Sequence, residues 1–232
     1  MALTTVAAGP ATRSFWLADL QHDWSALVAH RQPRRLARDA TLYRQGEPAR
    51  SLFVIAQGRI RLITFTPAGK ESHIAVIGPN GLAGDSGLFD PGRHLTSAVA
   101  SSDTLLYEVP REDLLDAMQA DRRLLQQVLA FADQRFQAML LHHELLSAGS
   151  AVQRVACALL GLAHVYGEPH PAGRLIRLPF TQEEMASICS ISRMSVSSAF
   201  GELVQRGWVA KDGRATVLRD PAALLAAVRG DA

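Results

Sequence analysis

From Phe180 to Trp208 the chain reads Phe-Thr-Gln-Glu-Glu-Met-Ala-Ser-Ile-Cys-Ser-Ile-Ser-Arg-Met-Ser-Val-Ser-Ser-Ala-Phe-Gly-Glu-Leu-Val-Gln-Arg-Gly-Trp. Thr181 followed three residues later by Glu184 is a capping box, in which hydroxyl and carboxylate each satisfy a free backbone N–H at a helix start. Phe180 before the cap and Met185 beyond it make a hydrophobic staple. The signal then recurs: Ser192 can cap a second helix, with Ile191 and Val196 as its staple. Two short capped helices joined across Cys189–Ile191 predict a helix-turn-helix.

The second helix has two unlike faces. Val196, Ala199, Phe200 and Leu203 recur at helical spacing and are expected to bury against Met185, Ala186 and Ile188 of the first helix. The opposite face carries Arg193, Met194, Ser197, Ser198 and Gly201, where an ordinary solvent-facing helix would favour Glu and Lys. A small, polar, Arg-led first turn suits a helix pressed into the major groove, whose N-terminal residues reach base edges. The candidate DNA contacts are Thr181, Gln182, Ser192, Arg193, Met194, Ser195, Ser197 and Ser198. Gly207 can take the left-handed cap that ends the helix. Trp208–Ala210, a Lys-Asp-Gly-Arg turn and Ala215–Leu218 then predict a β-hairpin wing, adding Lys211 and Arg214 to the candidates.

At 232 residues the chain suits one or two domains, burying roughly 70% of its unfolded surface. Net charge is only +2, but Arg174–Arg219 holds seven Arg or Lys against four Asp or Glu, which concentrates positive charge around the predicted reading unit. Two cysteines, Cys157 and Cys189, argue against a disulfide framework and for a reducing compartment. There is no signal-peptide pattern, and no apolar run approaches 18 residues, so a cytoplasmic protein without a membrane partner is expected.

Ahead of the reading unit, Phe15 to His30 carries apolar residues at helical spacing, predicting a short N-terminal helix. From Leu36 to Val109, short β-branched or aromatic runs (52–56, 59–65, 73–77, 97–100, 105–109) alternate with Gly and Pro, predicting a small antiparallel barrel or roll. Pro110 marks the switch to helix. After a short helix to Met118, a long one should run from about Asp121 to Leu146. There Leu125, Leu129, Ala132, Phe136, Met139, His143 and Leu146 form a heptad seam suited to a second copy of the chain. A second set, Leu124, Val128, Phe131 and Leu140, lies beside it. A helix over 151–165, a loop over 167–173, a short strand over 174–178 and a small C-terminal helix from Pro221 complete the chain. The fold class is α+β. Its parts are an N-terminal tail and helix (1–35), a sensory β-roll (36–110), a helical linker (111–148) and a winged helix-turn-helix domain (149–232).

This order resembles the Crp/Fnr family of bacterial transcription regulators over roughly Leu36 to Arg219. The matching residues are Leu42-Tyr43-Arg44-Gln45-Gly46-Glu47, Gly58, Gly69-Lys70-Glu71, Gly84-Asp85-Ser86-Gly87-Leu88-Phe89 and the Ser192-Arg193-x-x-Val196 opening. The resemblance implies a homodimer on a roughly palindromic site in double-stranded DNA, in contact with RNA polymerase and switched by something sensed at the roll. By the same resemblance the effector pocket involves Gly84, Asp85, Leu95, Thr96, Met139 and Leu140.

The departures matter as much. Members that bind cyclic AMP carry a glutamate where this chain has Asp85, an Arg-Ser pair where it has Leu95-Thr96, and a Thr-Ser pair where it has Met139-Leu140. Losing the guanidinium removes a charge-assisted clamp on phosphate. Arg93 and His94 lie one or two residues off that position, and a cyclic-di-GMP or other anionic-ligand sensor would draw on them. Iron–sulfur members need four cysteines, and haem members a roll ligand for which His73 and His94 are the candidates. Adjacent His142 and His143 cannot share a helix face, and His143 on the seam is expected to pack as a neutral ring. A cupin-type metal enzyme would need a His-x-His pair, which none of the eight histidines forms. No metal site, cofactor or catalytic residue is therefore expected, and the sequence does not name the effector.

Overall fold

The computed structural model describes residues 16–17, 21–65, 69, 71–89, 92–147, 149–177, 181–213 and 215–229. In chain order the N-terminal half contains β1 (Trp16–Leu17), α1 (Ser25–Val28), β2 (Arg34–Leu36), β3 (Thr41–Tyr43), β4 (Ser51–Gln57), β5 (Ile60–Phe65), β6 (Glu71–Ile77), β7 (Leu82–Ala83), β8 (Ser97–Ala100) and β9 (Thr104–Pro110). The strands form two sheets, ordered β1-β6-β5-β8-β3 and β2-β9-β4-β7. Between them Ile55, Ile60, Leu62, Ile77, Leu82 and Leu106 are fully buried. Every pairing is antiparallel except β1 with β6. Gly58 turns β4 into β5 with φ +82, and a Cβ there would collide with the Asp103 carbonyl, so this turn requires glycine.

The expected N-terminal helix shrinks to Ser25–Val28. Trp16 and Leu17 instead pair in parallel with Val76 and Ile77. The apolar spacing reflects burial of Leu17, Trp24 and Leu27 in the roll's core, and sheet pairing satisfies the backbone at Trp16–Leu17 better than a lone short helix would. Phe15 and residues 18–20 lie outside the described residues.

Two helices follow, α2 (Arg111–Ala120) and the 26-residue α3 (Arg122–Ser147). Two stripes run along α3, offset by one residue. Leu124, Val128, Phe131, Arg135, Ala138, His142 and Leu145 are buried within this chain. The adjacent seam is left open, with Leu129 59% and Phe136 60% exposed and Met139 also largely exposed. Leu140, expected on the buried stripe, falls off it and is half-exposed.

The C-terminal half comprises α4 (Ala151–Tyr166), β10 (Gly167–His170), β11 (Gly173–Ile176), α5 (Gln182–Cys189), α6 (Arg193–Gln205), β12 (Val209–Asp212), β13 (Ala215–Leu218) and α7 (Pro221–Arg229). Residues 167–170, expected as loop, form an antiparallel hairpin with β11. That hairpin joins the wing in one sheet ordered β10-β11-β13-β12. Pairing with β11 holds β10 in place even though its own sequence, Gly-Glu-Pro-His, is poor in strand formers. Val155, Leu159 and Leu162 of α4 pack with Met185, Ile188, Val196 and Leu203 in a second core. Among the described residues no helix is long and apolar enough to cross a membrane.

Candidate nucleic-acid interface and sensory pocket

Both helix starts of the reading unit are capped by the side chains that the sequence marks. Thr181 N–H donates to Glu184 Oε2 at 2.8 Å, and Glu184 N–H donates back to Thr181 Oγ1 at 3.1 Å. Ser195 N–H donates to Ser192 Oγ at 3.0 Å at the start of α6. Each such cap contributes about 1 kcal/mol. Phe180 of the proposed staple lies outside the described residues. Between the helices Ser190 adopts the left-handed conformation, φ 52, and Ile191 N–H returns to the Ala186 carbonyl at 2.9 Å. At the far end Gly207 has φ +74, and Trp208 N–H reaches the Leu203 carbonyl at 3.1 Å, closing the helix in a Schellman motif.

These anchors fix which face of α6 is presented. Val196, Ala199 and Leu203 are buried, while Arg193, Ser197 and Ser198 are exposed and Met194 is 83% exposed. Thr181, Gln182 and Ser192 are exposed at the same edge, and Ser195 is half-buried. Phe200 is partly buried, and Lys211 Nζ of the wing sits over its ring, 5.6 Å from the centroid. That contact orients Lys211 beside α6. Arg206 likewise lies over Trp208 at 4.8 Å. Arg214 lies outside the described residues.

The sensory end is more closed than the sequence suggests. Asp85 is ion-paired with Arg135 of α3, so the roll is tied directly to the long helix. Gly84, at φ +88, lets the chain pass close to the Ser51 carbonyl. The Tyr43 ring stacks on His94, centroids 3.7 Å apart, and burial pushes the Tyr43 hydroxyl up to about 12. Thr96 is buried nearby, and its hydroxyl, Tyr43 Oη, Ser86 Oγ and His94 Nδ1 make no well-formed hydrogen bond among the described residues.

Leu95 does not belong to this cluster. Its side chain is 65% exposed, since it points away from the inward-facing Thr96. Met139 and Leu140 face the open seam rather than an enclosed pocket. Arg93 is exposed and donates one N–H to the Gly46 carbonyl at 2.7 Å, which ties it to the loop at Gly46. On α3 the packed histidine is His142, not His143: its Nε2 is 2.9 Å from the Ile188 carbonyl, whereas His143 is exposed. Burial lowers the His142 pKa.

Arg135 and His142 are the two site residues that sequence reasoning missed. Their signal is a polar residue set on an otherwise apolar 4-3-4-3 stripe, at 135 and 142 between Phe131 and Leu145. Among the described residues no group of His, Cys, Asp or Glu could hold a metal ion.

A two-sheeted roll, tied by an ion pair to a long helix that leads into a winged helix-turn-helix, defines a DNA-binding regulator with a separate N-terminal domain. The family model of the cyclic nucleotide-binding domain matches residues 33–121, and that of the Crp-like helix-turn-helix domain matches residues 153–227. The cyclic AMP receptor protein of Thermus thermophilus is 31% identical over 198 residues, covering 85% of this chain and 88% of that protein. The CRP-like cAMP-activated global transcriptional regulator of Mycobacterium tuberculosis is 28% identical over 197 residues, covering 84% and 88%. FixK2 from Bradyrhizobium japonicum has the same fold, with TM-score 0.74, 22% identity, and 84% and 96% of the two chains covered. The chain belongs to the Crp/Fnr family and is a transcription regulator of that type.

Proposed function

We propose that this regulator works as a homodimer joined along α3, placing two copies of α6 in successive major grooves about one DNA turn (~34 Å) apart. The carrying observation is the pair of surfaces left open on one chain: the Leu129, Phe136 and Met139 stripe of α3, and the Arg193 edge of α6. An apolar stripe this long on a helix calls for a partner, and a second copy presents the same stripe. Arg193 binds the O6 and N7 of one guanine, Met194 favours a thymine methyl, and Ser197 and Ser198 discriminate weakly. Lys211 holds the phosphate backbone. RNA polymerase contact follows by family resemblance.

The effector is not cyclic AMP. Two relatives carry cyclic AMP in their names, but here Leu95 stands at the clamp position and points outward, and Arg135 is committed to Asp85. His73 and His94, the candidate haem ligands, are both buried, His73 bonded through Nε2 to Glu71 and His94 stacked on Tyr43. We read the protein as cytoplasmic and non-catalytic, with the domain boundaries near 35, 110 and 148. Selection of binding sites from random DNA tests the reading. An inverted repeat with one invariant G·C pair per half-site is expected, and a single unrepeated motif would overturn the dimer geometry.

A further inference from the structure

The reading unit does not hang free of the roll. Helix α5 lies against β6, and Val76 of β6 shares one apolar cluster with Leu145, Met185 and Ile188. Beside that seam opens a cleft of about 430 Å³, walled by Glu71 and His73 of the roll and by Thr181, Glu184, Ser187 and Arg193 of the reading unit. Two of these side chains are incompletely bonded: His73 Nδ1 and Ser187 Oγ are buried without a hydrogen-bond partner among the described residues. His73 is only 3% exposed, and its Nε2 lies 2.9 Å from Glu71 Oε1. Such a joint tolerates a neutral ring and penalises a charged one, because burying charge costs far more than burying a dipole. Relative motion of packed domains is the ordinary expectation unless their joint is large and hydrophobic.

We propose that His73 is a proton-sensitive latch between the sensory roll and the DNA-binding unit, closed over the neutral ring and released when the ring takes a proton. Several charged groups face this joint. From the roll come Glu71, Arg61, Arg38 and Asp39. From α5 come Glu183 and Glu184, and from α6 comes Arg193. On α3, His142 lies against the Ile188 carbonyl of the same α5. Burial holds the His73 pKa below its ordinary 6.5; Glu71 and Glu184 pull it up, while the Arg61 guanidinium adds to the lowering. A ring with a lowered pKa in the closed joint contributes stabilisation that is complete above its ordinary value and lost as pH falls below it. The closed-to-open ratio therefore falls by up to about tenfold per pH unit across that window. Thr181 and Arg193 line the same cleft, so opening moves the edge assigned to DNA; that consequence, unlike the latch itself, rests on the reading given under Proposed function.

Hydrogen exchange of the full-length protein between about pH 8 and about pH 5, corrected for intrinsic exchange, tests the latch. Amides of β6 and α5 should lose protection on acidification while those of β4 keep theirs. His73→Gln should abolish that pH dependence, and His142→Gln should retain most of it. Glu184→Gln keeps the capping box but removes a carboxylate that favours the charged ring across the joint, so its response should be larger. Thermal unfolding at about pH 8 checks that each variant is folded. An acid response that survives in His73→Gln, a wild-type joint indifferent to pH, or a smaller response in Glu184→Gln would each overturn the latch. Operator binding measured in parallel separates the two claims: exchange can bear out the latch even if Arg193 proves not to meet DNA.

Discussion

Replacing Arg135 with Met removes the guanidinium from Asp85 and keeps most of the side chain's volume. In the intact protein these side chains are 10% and 16% exposed, so the carboxylate is left mostly buried and unpaired. Breaking a buried pair from one side costs about 3–5 kcal/mol, and the residual exposure of Asp85 favours the low end, about 3 kcal/mol. For a chain of this size each kcal/mol lowers the melting temperature by about 2–4 °C, so a drop of about 6–12 °C is expected. Replacing both partners, Arg135→Met with Asp85→Asn, removes the stranded charge and should recover most of that loss. Scanning calorimetry on wild type, both single variants and the double variant closes the cycle. If Arg135→Met melts within about 1 °C of wild type, or if the two single losses simply add, the pair does not tie the roll to α3 and the reasoning fails.

The other expectations concern surfaces and one thiol. Phe136→Asp places a charge on the open stripe of α3, and light scattering should show monomers that bind DNA weakly; an unchanged dimer mass would remove the seam. Arg193→Ala should cost about 1–3 kcal/mol at one base pair and relax selection there, whereas Lys211→Ala should weaken binding to all sequences and reduce the salt slope by about one unit. Cys189 is buried, and burial, with Cys157 adding to it, pushes its thiol up to about 12. It should resist alkylation near neutral pH until the protein is unfolded. The stability it contributes as a neutral thiol should decline as pH climbs above the ordinary 9.0, where the unfolded chain ionises first.

The reading unit was the most legible part of the chain because its signals are local. Thr181 with Glu184, Ser192 with Ser195 and Gly207 each act within a few residues, so sequence spacing carries the geometry directly. The left-handed Ser190 is harder to see, since glycine would mark such a turn and serine does not. The long helix was legible as an element, with both stripes visible. The sequence does not say which of two stripes one residue apart is already covered, because the roll decides that. Arg135 and His142 were missed for that reason: each is polar, and only the packing of α3 on the roll and on α5 shows why it is buried. The strands Trp16–Leu17 and Gly167–His170 went unread because their partners, β6 and β11, supply the order that their own residues do not. Leu95 matches the pocket position in sequence only, and the turn of the chain before Thr96 sends it to solvent.

The most direct test of the central claim is the affinity of the purified protein for its selected operator, measured by fluorescence anisotropy with and without cyclic AMP. The affinity should not change on adding cyclic AMP, because Arg135 is held by Asp85 and Leu95 faces away from the roll's interior. A rise of about tenfold or more in affinity at micromolar cyclic AMP, equivalent to about 1.4 kcal/mol of coupling, would contradict it.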